Sequence, residues 1–352
     1  MKLLTIACLL AFAAAGCSKM SSPSPAVTSP DHVETSSTTK AAVSTASYTF
    51  AYGSDVSWET QMSAAGYEFY TNDGVNHSVY AVVQSKGINA IRLRVWVNPA
   101  GGWCNTADVV TKALHAQAKG MSILIDFHYS DTWADPGHQT VPAAWANETF
   151  DQLMATVYSY TEGVLDTLKA NGITPTWVQV GNETNNGMLW PDGEASSNMK
   201  QYAWLVNCGY NATKAVFPNC KVIVHLANGY DNSDFEWLFD GLKANGTSWD
   251  VIGMSLYPTA SNWQTYDSEC LANMQDMVSR YGKQVMICEV GFAENDPTDA
   301  EAFLKDIIAK TQSVSGGLGV FYWEPECYDN WQGYGEGAFG SNGEPTAALN
   351  AF

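Results

Sequence analysis

The sequence predicts an α/β fold, a (β/α)8 TIM barrel that occupies residues 48–352 as a single domain. Three observations predict it. Short apolar strands alternate with longer amphipathic helical stretches in units of about 30 residues, which implies parallel strands joined by right-handed crossovers. Many helical stretches stop at a glycine just before the next strand, as at Gly87, Gly120, Gly172, Gly246 and Gly282. Each strand gives way to polar or aromatic residues at its C-terminal end, the face on which such barrels carry their sites. A doubly wound open sheet is the alternative, and the lack of a phosphate-cradling glycine loop after the first strand weakens it.

Residues 1–16 read as a signal peptide: Lys2, the apolar run Leu3 to Ala15, and then Ala14-Ala15-Gly16-Cys17. Small residues before a cysteine resemble a bacterial lipobox, so Cys17 is the expected lipidation site and new N-terminus. Residues 17–47, dominated by Ser, Thr, Pro and Ala, cannot build a core and read as a flexible tether. The expected location is that of an exported lipoprotein, at the outer membrane and leaning to the surface-facing side, with membrane contact only through the lipid. Cys104, Cys208, Cys220, Cys270, Cys288 and Cys327 remain in the body without metal-site spacing, and six cysteines allow 15 full pairings. Cys288 lies inside an apolar strand and reads as a plain core residue.

The eight strands run over Thr49–Val56, Ile88–Trp96, Ser122–Tyr129, Thr176–Glu183, Lys221–Asn228, Val251–Pro258, Gln284–Phe292 and Leu318–Pro325. Between them, Ala107–Lys119, Phe150–Ala170, Ser197–Phe217 and Ala300–Thr311 repeat apolar residues at three and four and read as helices. At the strand ends stand Asp55 with Trp58, Arg92 and Arg94 with Trp96, Asp126 with His128, Asn182-Glu183, His225 with Asn228, Tyr257, Glu289, and Trp323-Glu324. One polar exit means little; eight in succession converge on one site.

That site suits glycosidic bond cleavage, which needs one carboxylic acid to protonate the leaving oxygen and a second carboxylate at the anomeric carbon. Glu183 on the fourth strand and Glu289 on the seventh face each other across a barrel mouth, the first as acid/base and the second as nucleophile. Asn182 offers an amide beside the acid. Tyr257 can donate to the nucleophile, and Arg92 or Arg94, which share a strand face, can hold it by charge. Arg94, nearer the strand's exit, is the expected one. With 36 acidic and 17 basic side chains the net charge of -19 repels nucleic acid and gives no reason to bind anionic polymers. Thirteen Trp and seventeen Tyr supply flat faces on which neutral sugars stack. The expected partner is therefore a neutral polysaccharide, bound by a monomer without a cofactor.

Four segments carry a family resemblance: INAIRLRVWVNP (Ile88–Pro99), ILIDFHYSDTWADPGHQTVPAAW (Ile123–Trp145), VQVGNETNNGMLWP (Val178–Pro191) and CEVGFA (Cys288–Ala293). They look like the endo-β-1,4-galactanases of glycoside hydrolase family 53, over nearly all of residues 48–352. The Asn-Glu and Glu pattern is shared by a clan of retaining barrels, so the stretch from Asp126 to Trp145 is what separates galactanase from mannanase, xylanase or cellulase. The resemblance implies a catalytic domain in which Glu183 is the acid/base and Glu289 the nucleophile. It also implies that His128, Asn182, His225, Tyr257 and Trp323 line the cleavage subsite, that Asp126, Trp133 and Asp135 belong to the signature, and that Trp133, Trp323 and Trp331 serve as sugar platforms. One departure is Ser54 in Gly53-Ser54-Asp55-Val56-Ser57-Trp58. Another is that only 29 residues follow Trp323, which predicts no calcium in the loop after the eighth strand. Two rival readings are a metal centre at Asp126, His128, Asp131, Asp135 and His138, which lacks recognised spacing, and a non-catalytic glycan-binding lipoprotein, which has no use for a matched carboxylate pair.

Overall fold

The computed structural model describes residues 49–352, within a compact unit that spans Tyr48–Phe352. The signal peptide, Cys17 and the tether lie outside the described residues. The chain opens with β1 (Ala51–Asp55), α1 (Glu59–Ala64), a hairpin of β2 (Phe69–Tyr70) and β3 (Asn76–His77), and α2 (Val79–Ser85). It continues with β4 (Ala90–Val95), α3 (Thr106–Ala118), β5 (Ser122–Phe127), α4 (Phe150–Ala170), β6 (Trp177–Val180) and α5 (Ala195–Val216). Then follow β7 (Lys221–Leu226), α6 (Asn232–Ala244), β8 (Val251–Leu256), α7 (Trp263–Tyr281), β9 (Gln284–Val290), α8 (Pro297–Ser313) and β10 (Gly317–Tyr322). Leaving aside the small hairpin, the strands close into one parallel barrel in chain order, with β10 pairing back onto β1.

Each expected strand is present, and the five glycine stops all have left-handed φ between 65° and 98°, a conformation in which a Cβ would be strained. Helix α8 starts earlier than its apolar repeat suggests because the Asp296 side chain caps it and Pro297 fits its first turn. All six body cysteines are free.

The barrel has two apolar layers. Alternate residues point inward to a floor made of Ala51, Ala90, Leu124, Trp177, Ile223, Val251, Met286, Cys288, Leu318 and Phe321. The others point outward against the helices. Trp177 fills the floor, with Phe321 edge-on at 6.3 Å. Whatever polar residue continues the inward phase above this plug is lifted into the mouth.

Helix α4 carries a reciprocal cap. Thr149 accepts from the Gln152 backbone and Gln152 reaches back to the Thr149 backbone. Replacing Thr149 by Ala is expected to cost about 1 kcal/mol, read as a lower urea midpoint with an unchanged slope.

Candidate active site

The second tier of the mouth is built around Arg92. It is fully buried and its guanidinium meets three carboxylates: Asp55 at 2.9 Å, Asp126 at 2.9 Å and Glu289 at 2.8 Å. It also donates to the Asn182 side-chain oxygen at 2.8 Å. Asp55 accepts from the backbone and hydroxyl of Ser57 at 2.9 and 2.5 Å, which ties the end of β1 to the cluster. Asp126 accepts from Gln179 at 2.6 Å and from His128 Nε2 at 2.9 Å. Trp96 Nε1 and the Ala134 N–H, both at 3.1 Å, point at His128 Nδ1, so the ring proton sits on Nε2.

Glu289 reaches this tier through a bulge. Met254 pairs with Ile287, yet the next residue, Ser255, pairs with Glu289, so Cys288 is an extra residue on β9. Met286 and Cys288 face the floor while Ile287 and Val290 face the helices. Plain alternation would send Glu289 outward; the bulge reverses the phase and turns it into the mouth. Its two oxygens are then held by Arg92 and by the Tyr257 hydroxyl, which donates at 2.8 Å.

Glu183 leaves β6 with φ 46°, two residues after Gly181 at φ 82°. A side chain at Gly181 would collide with Thr184 at 2.6 Å, so this tight exit requires glycine. Glu183 shares a cavity of about 370 Å3 with Glu289, His128, Trp133, Asp135, Asn182, Ser255, Tyr257 and Trp323. Burial, followed by the negative charge of Glu289, pushes its carboxyl up to about 8, against a hydrogen bond from Ser255 and the more distant Arg92. Burial raises Glu289 as well, but Arg92 and the Tyr257 hydrogen bond work against that rise. Of the two acids, Glu183 is the one that keeps its proton. His225 Nδ1 lies 3.0 Å from the Asn182 side-chain oxygen and from Gln179 Nε2, and its Nε2 lies 2.8 Å from Ser255 Oγ. Burial and the nearby Arg92 hold His225 well below its ordinary range, so it is neutral.

Two expectations are corrected. Arg94 does not reach Glu289; it pairs with Glu324, one strand end away, and its guanidinium lies 4.5, 5.0 and 5.3 Å from the rings of Trp133, Trp58 and Trp96. Arg92 and Arg94 share a face, but the deeper one stands level with the bulged end of β9. Trp331 is no wall of the cavity. Left-handed Asn330 and Gln332 turn its ring edge-on to Tyr67 at 5.0 Å, and Gln332, Gly333 and Tyr334 take the exposed position instead.

Those three residues, with Trp58, Trp96, Trp103, Trp133 and Trp323, line a second cavity of about 480 Å3 that shares Trp133 and Trp323 with the first. Tyr334 packs on Trp323 at 4.8 Å and donates to its carbonyl at 3.0 Å. Sequence reading missed Gln179, Ser255 and Tyr334. Gln179 stands three residues before Asn182 and Ser255 two before Tyr257, where the inward phase of each strand was the available signal. The rival metal cluster is not assembled. Asp126 and His128 are buried against Arg92, whereas Asp135 and His138 pair with each other at 2.9 Å in the open loop.

Removing Arg92 leaves Asp55, Asp126 and Glu289 together without a cation. Arg92→Met is expected to destabilise the barrel by about 3–5 kcal/mol, measured by urea unfolding at neutral pH.

The chain has relatives in both sequence and structure. The model of the family described as Glycosyl hydrolase family 53 matches residues 51–301. A probable arabinogalactan endo-β-1,4-galactanase A of Neosartorya fischeri is 35% identical over 315 residues, covering 82% of this chain and 87% of the relative. The arabinogalactan endo-β-1,4-galactanase of Thermothelomyces thermophilus is 32% identical over 321 residues, covering 82% and 94%. A solved fungal β-1,4-galactanase superposes with a TM-score of 0.80 at 30% identity, over 87% of this chain and 99% of that one. The match extends through the strands that carry Arg92, Asp126, Glu183 and Glu289, and by it the chain belongs to glycosyl hydrolase family 53.

Proposed function

We propose that the protein is a retaining endo-β-1,4-galactanase that works by double displacement. The observation that carries the reading is the unequal treatment of two glutamates in one cavity: Glu289 is gripped by Arg92 and Tyr257, while Glu183 has no ion-pair partner among the described residues and is pushed up to about 8. A protonated Glu183 gives its proton to the glycosidic oxygen as the bond from that oxygen to the anomeric carbon breaks. A Glu289 oxygen forms the new bond to that carbon, and the leaving chain departs as an alcohol. Water then gives a proton to the Glu183 carboxylate while its oxygen displaces Glu289, so each glutamate returns to its starting state. Arg92 and Tyr257 fix the carboxylate's position for attack rather than leaving it to activate a water.

The two joined cavities give a groove longer than one ring, walled by tryptophan faces, which suits an internal stretch of a neutral polymer. The relatives named as arabinogalactan endo-β-1,4-galactanases support β-1,4-galactan as that polymer. The protein is expected to release oligosaccharides from β-1,4-galactan and not from β-mannan, xylan or cellulose, with Glu289→Ala lowering turnover by at least about 10³-fold. Products from another polymer would overturn the substrate, and turnover surviving in the variant would overturn the mechanism.

Because Glu183 must be protonated for the first step, kcat/KM is expected to fall as the pH rises through about 8. The Ser255 hydrogen bond favours the carboxylate form of Glu183. Ser255→Ala should therefore move the alkaline limb to higher pH, which a pH–rate profile on galactan reads directly; an unmoved or lowered limb would count against it.

A further inference from the structure

Glu326, two residues past Glu324 on the segment that leaves β10, takes no part in the chemistry above. It is fully buried, and neither carboxyl oxygen meets a hydrogen-bond donor among the described residues. The Glu324 carboxylate and Cys327 Sγ lie beside it, with one atom from each of the three within 4.8 Å of the others. Glu324 is already engaged, pairing with Arg94 through one oxygen and accepting the Trp58 N–H at 3.1 Å with the other. Arg94 spends its remaining surface on indole faces, and its Nε and Nη2 find no acceptor. It is therefore the counter-charge for one carboxylate, not two.

A second buried carboxylate beside Glu324 would have no cation among the described residues, and no donor closer at hand than its own backbone N–H. A neutral carboxyl there has an O–H and needs an acceptor, and Glu324 provides it. We propose that Glu326 is held as the neutral acid and donates its proton to Glu324, and that this shared proton positions the tryptophan wall of the cavity. Glu324 holds the Trp58 backbone, and the Trp58 ring meets Trp133 at 5.5 Å and Trp323 at 5.3 Å, both of which line the cavity of Glu183 and Glu289. The surrounding groups agree. Burial and then the charge of Glu324 push Glu326 far above the ordinary carboxylate range, and Asp55 of β1 adds to this. Burial raises Glu324 too, but Arg94 and the hydrogen bond from Glu326 outweigh it and bring Glu324 below that range. From α2, Tyr80 faces the cluster as an un-ionised phenol, with Glu59 of α1 also near it.

The test compares wild type with Glu326→Gln, whose amide can still donate to Glu324 but cannot ionise. Folded wild type keeps the proton, while the unfolded chain loses it above the ordinary carboxylate value of 4.5. Between about pH 5 and 6.5, below the titration of Asp55 at about 7, the unfolding constant of the wild type should rise about tenfold per pH unit relative to the variant. A ratio that stays flat would show a Glu326 ionised in the folded protein, since the unfolded chain has already lost its proton across this window, and would overturn the shared proton. In infrared spectra, Glu326→Gln should delete one protonated-carboxyl C=O band. The kinetic arm rests on the glycanase reading: Glu326→Ala should raise KM for galactan about tenfold with a smaller change in kcat, and Glu326→Gln should restore it. An unchanged KM in the alanine variant would overturn the positioning role while leaving the stability and infrared results as the judge of the proton.

Discussion

The mouth of this barrel depends on the burial of one guanidinium. Arg92 is out of contact with water, and three carboxylates from three different strands end on it. None of the four groups is affordable alone in that position, because an unpaired buried charge loses its hydration and gains nothing in return. Together they fix the ends of β1, β4, β5 and β9 relative to one another. Glu289 is thus an element of the fold as well as of the proposed chemistry.

Arg94 builds a second, separate tier directly above. It is neutralised by Glu324 and surrounded by three indole rings, so its charge is directed to the aromatic wall and not to the reacting centre. Two arginines a single turn of the pleat apart therefore divide the labour. The lower sets the charge state of the cavity and the upper sets the shape of its side. Neutral His225 continues this arrangement, hydrogen-bonded to Ser255, whose hydroxyl also meets Glu183.

Much of this was legible in the sequence for identifiable reasons. The strands could be found because inward and outward layers are both apolar and the helices stop at glycine. The strand-end residues could be found because a packed floor leaves polar side chains nowhere else to go. Choosing between Arg92 and Arg94 needed depth, which is set by how strands stagger around the barrel and not by their own pattern. The wall position of Trp331 was lost to two left-handed residues beside it, neither of them glycine. Ser255 sat in a strand that reads as uniformly apolar, and the Glu324–Glu326 contact depends on how the chain folds as it leaves β10.

The bulge at Cys288 ties the placement of Glu289 to a residue on the neighbouring strand. Gly253 lies so close that a Cβ there would fall 2.8 Å from the Cys288 sulfur and 2.8 Å from Ile223. The inserted residue exists only in space that its neighbour has vacated. Drift in this barrel is thereby channelled: position 288 can enlarge or shrink within the floor only in step with positions 253 and 223. A lineage that filled Gly253 first would squeeze out the extra residue and rotate its glutamate toward the helices.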